Sequence, residues 1–303
     1  MKKVLVIAGP TGVGKTSLSV YLAKQFQGEI ISGDSMQVYK EMSIGTAKIK
    51  EEEKEGIPHY LVDTFHFDEE YNVKEFQNLS RKYINEITEH KHLPIICGGT
   101  GLYIKSAIYD YKFLEQKQDE KSISYLKTLS NDQLWGLLRV IDPKVCETIH
   151  HNNRQRIVRA LSMAHDGEKK SNIVDAQQHE PIYDAFIIGL TMEREQLYER
   201  INKRVDVMMK EGLFEEIQRL VKDYEKIWDL QSFKGIGYKE WKAYFDGNAT
   251  KEECVEKIKK NSRNFAKRQY TWFRNQMDVH WYDVMDKDYK EQIRKDIEIW
   301  LKK

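Results

Sequence analysis

Near the start of the chain, three glycines, a lysine and a threonine stand in a pattern suited to binding phosphate. The eight residues concerned are Gly9, Pro10, Thr11, Gly12, Val13, Gly14, Lys15 and Thr16. Glycines allow successive backbone N–H groups to converge on phosphate oxygens, and the lysine neutralises the outer phosphate. The Thr16 hydroxyl is placed to hold Mg²⁺ beside those phosphates. These residues predict a site for a diphosphate or a triphosphate.

The flanking residues give this loop the setting that its chemistry requires. The apolar run Val4–Ala8 precedes it and predicts a strand, and Leu18, Leu22 and Phe26 follow at helical spacing. The helix that starts in the loop adds a partial positive charge at the phosphates. A glycine turn that matches by chance is the alternative, and the agreement of strand, loop and helix argues against it.

Polar side chains also follow two other predicted strands. Asp34 comes after the apolar segment Gly28–Ser32, and Thr100 comes after Leu93–Cys97. Ligands of open parallel sheets lie at the carboxyl ends of the strands, so both side chains can face the phosphate loop. A carboxylate there could take a proton from a nucleophile, and a hydroxyl could donate to a leaving oxygen. The alternative is that Asp34 only caps a turn and Thr100 only fills a glycine turn.

A predicted helix near residue 265 is strongly basic. On one of its faces stand, at intervals of three or four residues, Lys260, Arg263, Lys267, Tyr270 and Arg274. Ile258, Phe265 and Trp272 occupy another face and would pack against the core. A basic face with an aromatic ring suits a polyanion such as RNA, and a merely solvated face is the alternative.

The predicted fold is α/β: a P-loop NTPase-like parallel sheet flanked by helices, with a small helical insertion domain and a helical C-terminal part. Residues 1–112 and 173–303 would form the core, because the apolar run Ala185–Leu190 returns to the sheet as a strand. Residues 113–172 are polar and would form the insertion, which we expect to be mobile. Its cluster of Arg154, Arg156 and Arg159 could contact phosphate.

Composition limits the cellular setting. The cysteines Cys97, Cys146 and Cys254 lie far apart, which argues against a disulfide framework or a zinc site and favours a reducing compartment. No apolar run approaches the ~20 residues of a membrane span, and the N-terminus leads directly into a strand. We expect a cytoplasmic monomer without a membrane partner.

Taken together, these stretches resemble the bacterial tRNA dimethylallyltransferase (IPP transferase) family over almost the whole chain. Besides the phosphate loop, the resemblance rests on the ordered segments Asp34–Tyr39, Ile44–Lys48, Gly98–Tyr103, Arg154–Leu161, Ile236–Glu240 and Ala266–Arg274. Enzymes of this family transfer a dimethylallyl group from its diphosphate to the exocyclic N6 amine of the adenine adjacent 3′ to the anticodon. The resemblance implies dimethylallyl diphosphate and tRNA as substrates and Mg²⁺ as the cofactor.

The resemblance also implies roles for individual residues. Asp34 would be the general base, Thr100 would touch the bridging oxygen of the donor, and Arg204 would bind the diphosphate. Contacts with the tRNA anticodon stem-loop are implied for Asp34, Ser35, Met36, Gln37, Thr100, Gln155, Arg156, Ile157, Val158 and Arg159. The basic helix would add phosphate contacts from Lys260, Arg263, Lys267 and Arg274.

The chain departs from the family pattern in two places. The segment Phe113–Tyr125 is shorter than usual, so contacts from it cannot be carried over. His59–Tyr60 stands where the family usually has paired histidines. No Cys/His finger follows Trp300, unlike in eukaryotic relatives, and this fits a bacterial form.

Three other functions stay open from the residues themselves. They are a small-molecule P-loop kinase, which would leave the basic helix unexplained, a prenyltransferase of free AMP, and a non-catalytic nucleotide-gated RNA binder, which would need neither Asp34 nor Thr100. A conventional ATPase is disfavoured, because it would have an aspartate directly after a run of four apolar residues. The nearest candidate is Asp63, which follows only Leu61 and Val62.

Overall fold

The computed structural model of the chain describes residues 1–113, 120–165, 171 and 179–303. In these ranges the centre of the fold is a sheet of six parallel strands. The strands are β1 (Lys3–Ala8), β2 (Gly28–Ser32), β3 (His59–Tyr60), β4 (Leu93–Gly98), β5 (Asp184–Thr191) and β6 (His280–Asp283). Their order across the sheet is β3-β2-β4-β1-β5-β6. The predicted α/β class is confirmed.

The described helices flank the sheet or belong to the insertion. They are α1 (Lys15–Phe26), α2 (Glu51–Lys54), α3 (Val73–Glu89), α4 (Gly101–Ile108), α5 (Glu120–Thr128), α6 (Asn131–Ile141), α7 (Arg154–His165), α8 (Arg194–Lys210), α9 (Leu213–Asp223), α10 (Lys242–Phe245), α11 (Lys251–Gln276) and α12 (Tyr289–Lys302). Short 3-10 turns connect several of them. Within the described ranges, no helix is long and apolar enough to cross a membrane.

The central strands carry apolar side chains on both sides because both faces of the sheet are covered. Along β1, Val4 and Val6 belong to one apolar cluster, which includes Phe76 of α3. Leu5 belongs to another, which includes Leu18 of α1. Alternate side chains of a strand point to opposite faces, so this pattern produces a continuous hydrophobic run and not an alternating one.

Strand pairing brings three loops to one edge of the sheet. At the end of β1, Ala8 pairs with Gly98, the last residue of β4, and with Gly189 of β5. Strand β2 pairs with β4 as far as Ser32 opposite Cys97. The loop after β1, the turn after β2 and the turn after β4 are therefore neighbours.

The C-terminal part contains a strand that the sequence analysis missed. The residue pattern predicts only helices after β5, whereas β6 adds to the sheet beside β5, with Gly189 opposite Trp281. This edge strand has four residues, and only Tyr282 in it is buried. So short a segment gives no clear alternation from which a strand could be predicted.

The described residues form two compact units. One comprises Met1–Tyr109 and Pro181–Lys303, and the other comprises Asp110–Glu180. The first boundary lies close to the predicted one at 112/113, whereas the predicted boundary at 172/173 falls outside the described residues. The smaller unit has its own apolar cluster, which includes Leu134, Leu138 and Ile157.

Candidate active site

Two cavities adjoin at the carboxyl edge of the sheet. The smaller, here called the phosphate-loop cavity, has a volume of about 110 Å³ and is lined by Lys15, Thr16 and the turn after β4. The larger, here called the adjoining cavity, has about 330 Å³ and is lined largely by loops and by α11. Five residues line both cavities: Thr11, Asp34, Thr46, Arg204 and Phe265. The shared lining makes them two parts of one site.

Lys15 lies inside the phosphate loop, with its ammonium group turned back on the backbone. Its Nζ donates to the carbonyl oxygen of Pro10 at 2.8 Å. Burial lowers the pKa of Lys15 to about 8; Cys97 opposes the shift, Arg204 adds to it, and Asp34 opposes it. A lysine held in this way gains strongly from an anion, because the anion restores the interactions that burial removed.

Arg204 reaches the phosphate loop from α8, which lies far from it in sequence. Its Nη1 donates to the hydroxyl of Thr11 at 2.9 Å. Burial lowers the pKa of Arg204, and the nearby Asp34 carboxylate opposes that shift. Two cations, Lys15 and Arg204, thus line the phosphate-loop cavity.

Asp34 caps a turn and also lines both cavities. Its Oδ1 accepts hydrogen bonds from the backbone N–H groups of Met36, at 2.8 Å, and Gln37, at 3.3 Å. Its Oδ2 accepts no hydrogen bond from the described residues. The two interpretations of Asp34 are therefore compatible, since one oxygen holds the turn and the other remains for a ligand.

The neighbours of Asp34 shape the entrance to this carboxylate. Ser35 and Met36 line the adjoining cavity. Gln37 lines the phosphate-loop cavity, and its Nε2 donates to the carbonyl oxygens of Thr46 and Ala47, each at 3.3 Å. This amide joins the turn after β2 to the loop that contains Thr46.

Thr100 begins helix α4 at the end of β4 and lines the adjoining cavity. Its side chain makes no capping hydrogen bond to its helix. Its backbone N–H donates to the carbonyl oxygen of Gly33 at 3.3 Å. The backbone thus holds Thr100 beside Asp34, while its hydroxyl is not used by the helix.

Gln269 is a site residue that the sequence analysis did not single out. From α11, its Oε1 accepts from the backbone N–H of Thr11 at 2.9 Å, and its Nε2 donates to the carbonyl oxygen of Gly99 at 3.0 Å. The side chain is buried and lines the phosphate-loop cavity. A polar residue inside a basic helix gave the only signal, because the two partners become neighbours only in the folded chain.

The basic residues predicted on one face of helix α11 differ in their exposure and contacts. Lys260, Lys267 and Arg274 are exposed. Arg274 lies over the rings of Tyr270 and Trp281, with 5.4 Å and 5.5 Å to the centroids. Arg263 is half-buried and donates to Oδ1 of Asn202 at 2.5 Å.

The predicted core-facing side of α11 needs a correction. Ile258 is buried as predicted, whereas Phe265 and Trp272 are only partly buried. Phe265 lines both cavities, and Trp272 packs so closely on Gly101 that a Cβ added there would lie 2.0 Å from the ring. The helix turns these two rings towards the site and the start of α4, because Ala266, Gln269 and Phe273 occupy the most buried positions.

In the smaller unit, α7 carries the other predicted RNA contacts. Gln155, Arg156 and Arg159 are exposed, and Val158 is partly buried. Ile157 is fully buried in the apolar cluster of this unit, so its side chain is part of the core. Arg154, from the same basic cluster, donates to Oδ1 of Asn131 at 3.0 Å and to the carbonyl oxygen of Lys127 at 2.6 Å.

A metal would have to be held by few protein ligands. Among the described residues, no group of three or more His, Cys, Asp and Glu side chains could hold a metal ion. Thr16 is exposed and lines the phosphate-loop cavity beside Lys15. Mg²⁺ commonly binds through one or two protein oxygens together with phosphates and waters, so this donor set fits Mg²⁺ delivered with a diphosphate.

The fold and the site define an enzyme of the P-loop-like α/β class. A phosphate-binding loop, two cations and a carboxylate shared by two cavities can bind a phosphorylated donor on one side and an acceptor on the other. The family model for IPP transferase matches residues 37–276. The chain belongs to this family, and the resemblance stated from the sequence is confirmed.

Individual relatives agree with the family model. A protein of Anoxybacillus flavithermus named tRNA dimethylallyltransferase is 52% identical over 287 residues, which is 94% of this chain and 91% of the relative. A protein of the same name from Bacillus cereus is 50% identical over 303 residues, covering 98% of this chain and 95% of the relative.

Solved structures show the same fold. The crystal structure of a tRNA isopentenylpyrophosphate transferase from Staphylococcus epidermidis has 44% identity and a TM-score of 0.73, covering 98% of this chain and 99% of the other. A eukaryotic dimethylallyltransferase acting on tRNA has 31% identity and a TM-score of 0.84, covering 97% of this chain and 78% of the other.

Proposed function

We propose that this chain transfers a dimethylallyl group from dimethylallyl diphosphate to the N6 amine of the adenine adjacent 3′ to the anticodon in tRNA. The observation that carries the proposal is the position of Asp34, which lines both the cavity with Lys15 and Thr16 and the cavity walled by loops and α11. A donor diphosphate and an acceptor base bound in these cavities would meet at this carboxylate.

The donor end would stabilise the departing diphosphate. Lys15, Arg204 and the backbone N–H groups of the phosphate loop supply positive charge before the reaction starts. Such preorganised groups lower the barrier most when charge develops on the leaving oxygens. The Thr100 hydroxyl, which is not used to cap its helix, would donate to the bridging oxygen.

Thr16 would hold Mg²⁺ together with the donor diphosphate. The ion, when bound, supplies further positive charge to the leaving group. The protein itself would orient the substrates. Lys15 and Arg204 would orient the diphosphate, and Phe265 forms part of the wall shared by both cavities.

Asp34 would act as the general base on the acceptor. The C1–O bond of the donor breaks with its electron pair on the diphosphate, a bond forms between C1 and N6, and Asp34 takes the proton that N6 loses. The unused Oδ2 provides the acceptor for that proton, while Oδ1 keeps its hydrogen bonds to Met36 and Gln37. The base therefore stays oriented during the transfer.

The RNA would be held by basic surface groups while the adenine enters the site. Next to the exposed Lys267 and Arg268, a groove of about 530 Å³ runs along α11 and includes Trp272. Phosphate contacts from this helix, and from Arg156 and Arg159 of α7, would offset the few kcal/mol that unstacking a base costs. We propose that a single chain carries out this reaction as a monomer. The reaction would take place in the cytoplasm, where the sequence predicts the protein and where tRNA is available.

The deciding experiment incubates the protein with Mg²⁺, dimethylallyl diphosphate and unmodified anticodon stem-loop RNA, followed by mass spectrometry of the nucleosides. We expect the mass of one dimethylallyl group on a single adenosine. Parallel reactions contain free AMP instead of RNA, or γ-labelled ATP with small acceptors. Modified AMP without modified RNA, or label transfer from ATP, would replace this proposal with one of its alternatives.

A further inference from the structure

A buried carboxylate on α9 ties together two loops that wall the adjoining cavity. Glu216 is 7% exposed, and its Oε2 accepts from the backbone N–H groups of Ser43, at 2.9 Å, and Ile44, at 2.8 Å. Its Oε1 accepts from the N–H of Gly45 at 3.2 Å and from the hydroxyl of Tyr238 at 2.7 Å. Four donors from two distant segments therefore meet on one side chain.

The two loops also pack directly against each other. A Cβ added at Gly45 would lie 2.5 Å from the ring of Tyr238, so only glycine permits this contact. Tyr238 is fully buried, and burial together with Glu216 raises its pKa well above the usual value. Its hydroxyl therefore remains a donor to Glu216 at every pH at which the enzyme would be assayed.

A second buried carboxylate extends this tie to α11. The Oε2 of Glu240 accepts from the backbone N–H of Gly237 at 2.9 Å, and its Oε1 accepts from Nδ2 of Asn261 at 2.7 Å. Since Gly237 directly precedes Tyr238, the loop is fixed on one side by Glu216 and on the other by the basic helix. Small displacements of α9 or α11 would thus move both loops.

These loops face one cavity far more than the other. Gly45, Gly235, Ile236 and Gly237 line the adjoining cavity and not the phosphate-loop cavity. Of the two loops, only Thr46 lines both. A change in the loops should therefore alter the acceptor side and leave the diphosphate side in place.

We propose that Glu216 is a positioning residue for the acceptor base: it fixes the paired loops 43–46 and 235–239 as the wall against which the purine is held beside Asp34. This inference rests on the proposed function. A carboxylate suits the task because both of its oxygens accept, whereas glutamine would turn an NH₂ group towards N–H or O–H donors. Replacing Glu216 with glutamine should therefore weaken the attachment of the two loops at the acceptor side and leave the donor side unchanged.

The test compares Glu216→Gln with Glu215→Gln, which changes an exposed carboxylate on the same helix. A displacement of about 1 Å near a reacting group can cost ~10²-fold, so we expect Glu216→Gln to raise the KM for stem-loop RNA about tenfold. The KM for dimethylallyl diphosphate and the Kd for Mg²⁺-diphosphate should stay within about twofold of the unmodified protein. Glu215→Gln should match the unmodified protein in every measurement.

Tyr238→Phe keeps the inference testable if Glu216→Gln does not fold. It removes one of the four donors and should raise the RNA KM in the same direction by a smaller factor. An RNA KM unchanged in the folded variants, or an equal loss for RNA and donor, would overturn the positioning role. Failure of the proposed function is distinguishable, because the unmodified protein would then form no prenylated adenosine, while the Kd for stem-loop RNA would still report on Glu216.

Discussion

The two cavities of the site are built in opposite ways. The phosphate-loop cavity contains a group of consecutive residues, Lys15 and Thr16, held between a strand and a helix, which Arg204 joins from α8. The adjoining cavity takes its wall from the turn after β2, the loop at Gly45, the segment 231–239 and helices α8 and α11. Local backbone geometry thus places Lys15 and Thr16 in the first cavity, whereas long-range packing alone assembles the wall of the second. Changes in the first should affect the donor, and changes in the second should affect the acceptor.

The largest effect is expected at Asp34, where the two cavities meet. Asp34→Asn keeps an oxygen for the turn at Met36 and Gln37 but removes the base, and loss of a general base typically lowers kcat by ~10²–10⁴. Single-turnover assays with bound RNA measure this step. Asp68→Asn, at an exposed carboxylate, is the control. Normal single-turnover chemistry with weakened RNA binding would make Asp34 an RNA-positioning residue instead.

The second-largest effect is expected at Lys15, which lines the phosphate-loop cavity and not the adjoining cavity. Lys15→Met removes a charge-assisted contact to the donor, which is worth about 1.5–3 kcal/mol, so donor kcat/KM should fall by roughly 10- to 10²-fold while RNA affinity is retained. Donor titrations and RNA anisotropy measure the two quantities. Equal losses of both would mean that the cavities are not independent.

The lowered pKa of Lys15 makes donor binding dependent on pH. Because that pKa is about 8 in the free protein, the ammonium loses its proton above pH 8, and diphosphate affinity should fall by up to tenfold per pH unit there. Subtracting the profile of Lys15→Met removes the titration of the ligand itself. Since the folded pKa is lowered, charged Lys15 costs stability below pH 8, and the ligand-free variant should melt at a higher temperature at pH 7. A flat difference profile would contradict the lowered pKa.

A smaller effect is expected at Gln269, which joins α11 to the donor side. Gln269→Ala leaves the N–H of Thr11 and the carbonyl of Gly99 unpaired, which costs about 1–3 kcal/mol of folding free energy. The donor KM should rise up to ~10-fold, because the phosphate loop loses a fixed neighbour. Thermal melts and donor kinetics measure these effects, with the exposed Gln292→Ala as control. An unchanged donor KM in a destabilised variant would limit Gln269 to the fold.

The smallest effect concerns individual cations on α11. Lys260→Gln and Lys267→Gln should each reduce the log–log salt slope of RNA binding by roughly 0.7–0.9, since one fewer counterion is released. Arg263→Gln should change the slope less, because Arg263 is held by Asn202. Lys222→Gln on α9 is the exposed control. Identical slopes for all of these proteins would show that this face is only solvated.

The sequence alone determined the parts of the protein that depend on local order. Strand β2 has the predicted bounds Gly28–Ser32, and the phosphate loop lies between β1 and α1 as its motif requires. An apolar run, a glycine loop and a helical repeat each specify their structure within a few residues, so they can be recognised without the fold. The family resemblance came from the same kind of ordered local motifs.

Only the tertiary structure decided which distant residues share a wall. Gln269 meets Thr11, Glu216 meets Gly45 and Tyr238, and Phe265 turns into the site although its spacing predicts a core position. Strand β6 likewise exists because β5 offers an edge to pair with. Hydrogen-bond partners and cavity walls depend on how helices and loops pack around the sheet, and the spacing of residues along one helix or strand does not contain that information.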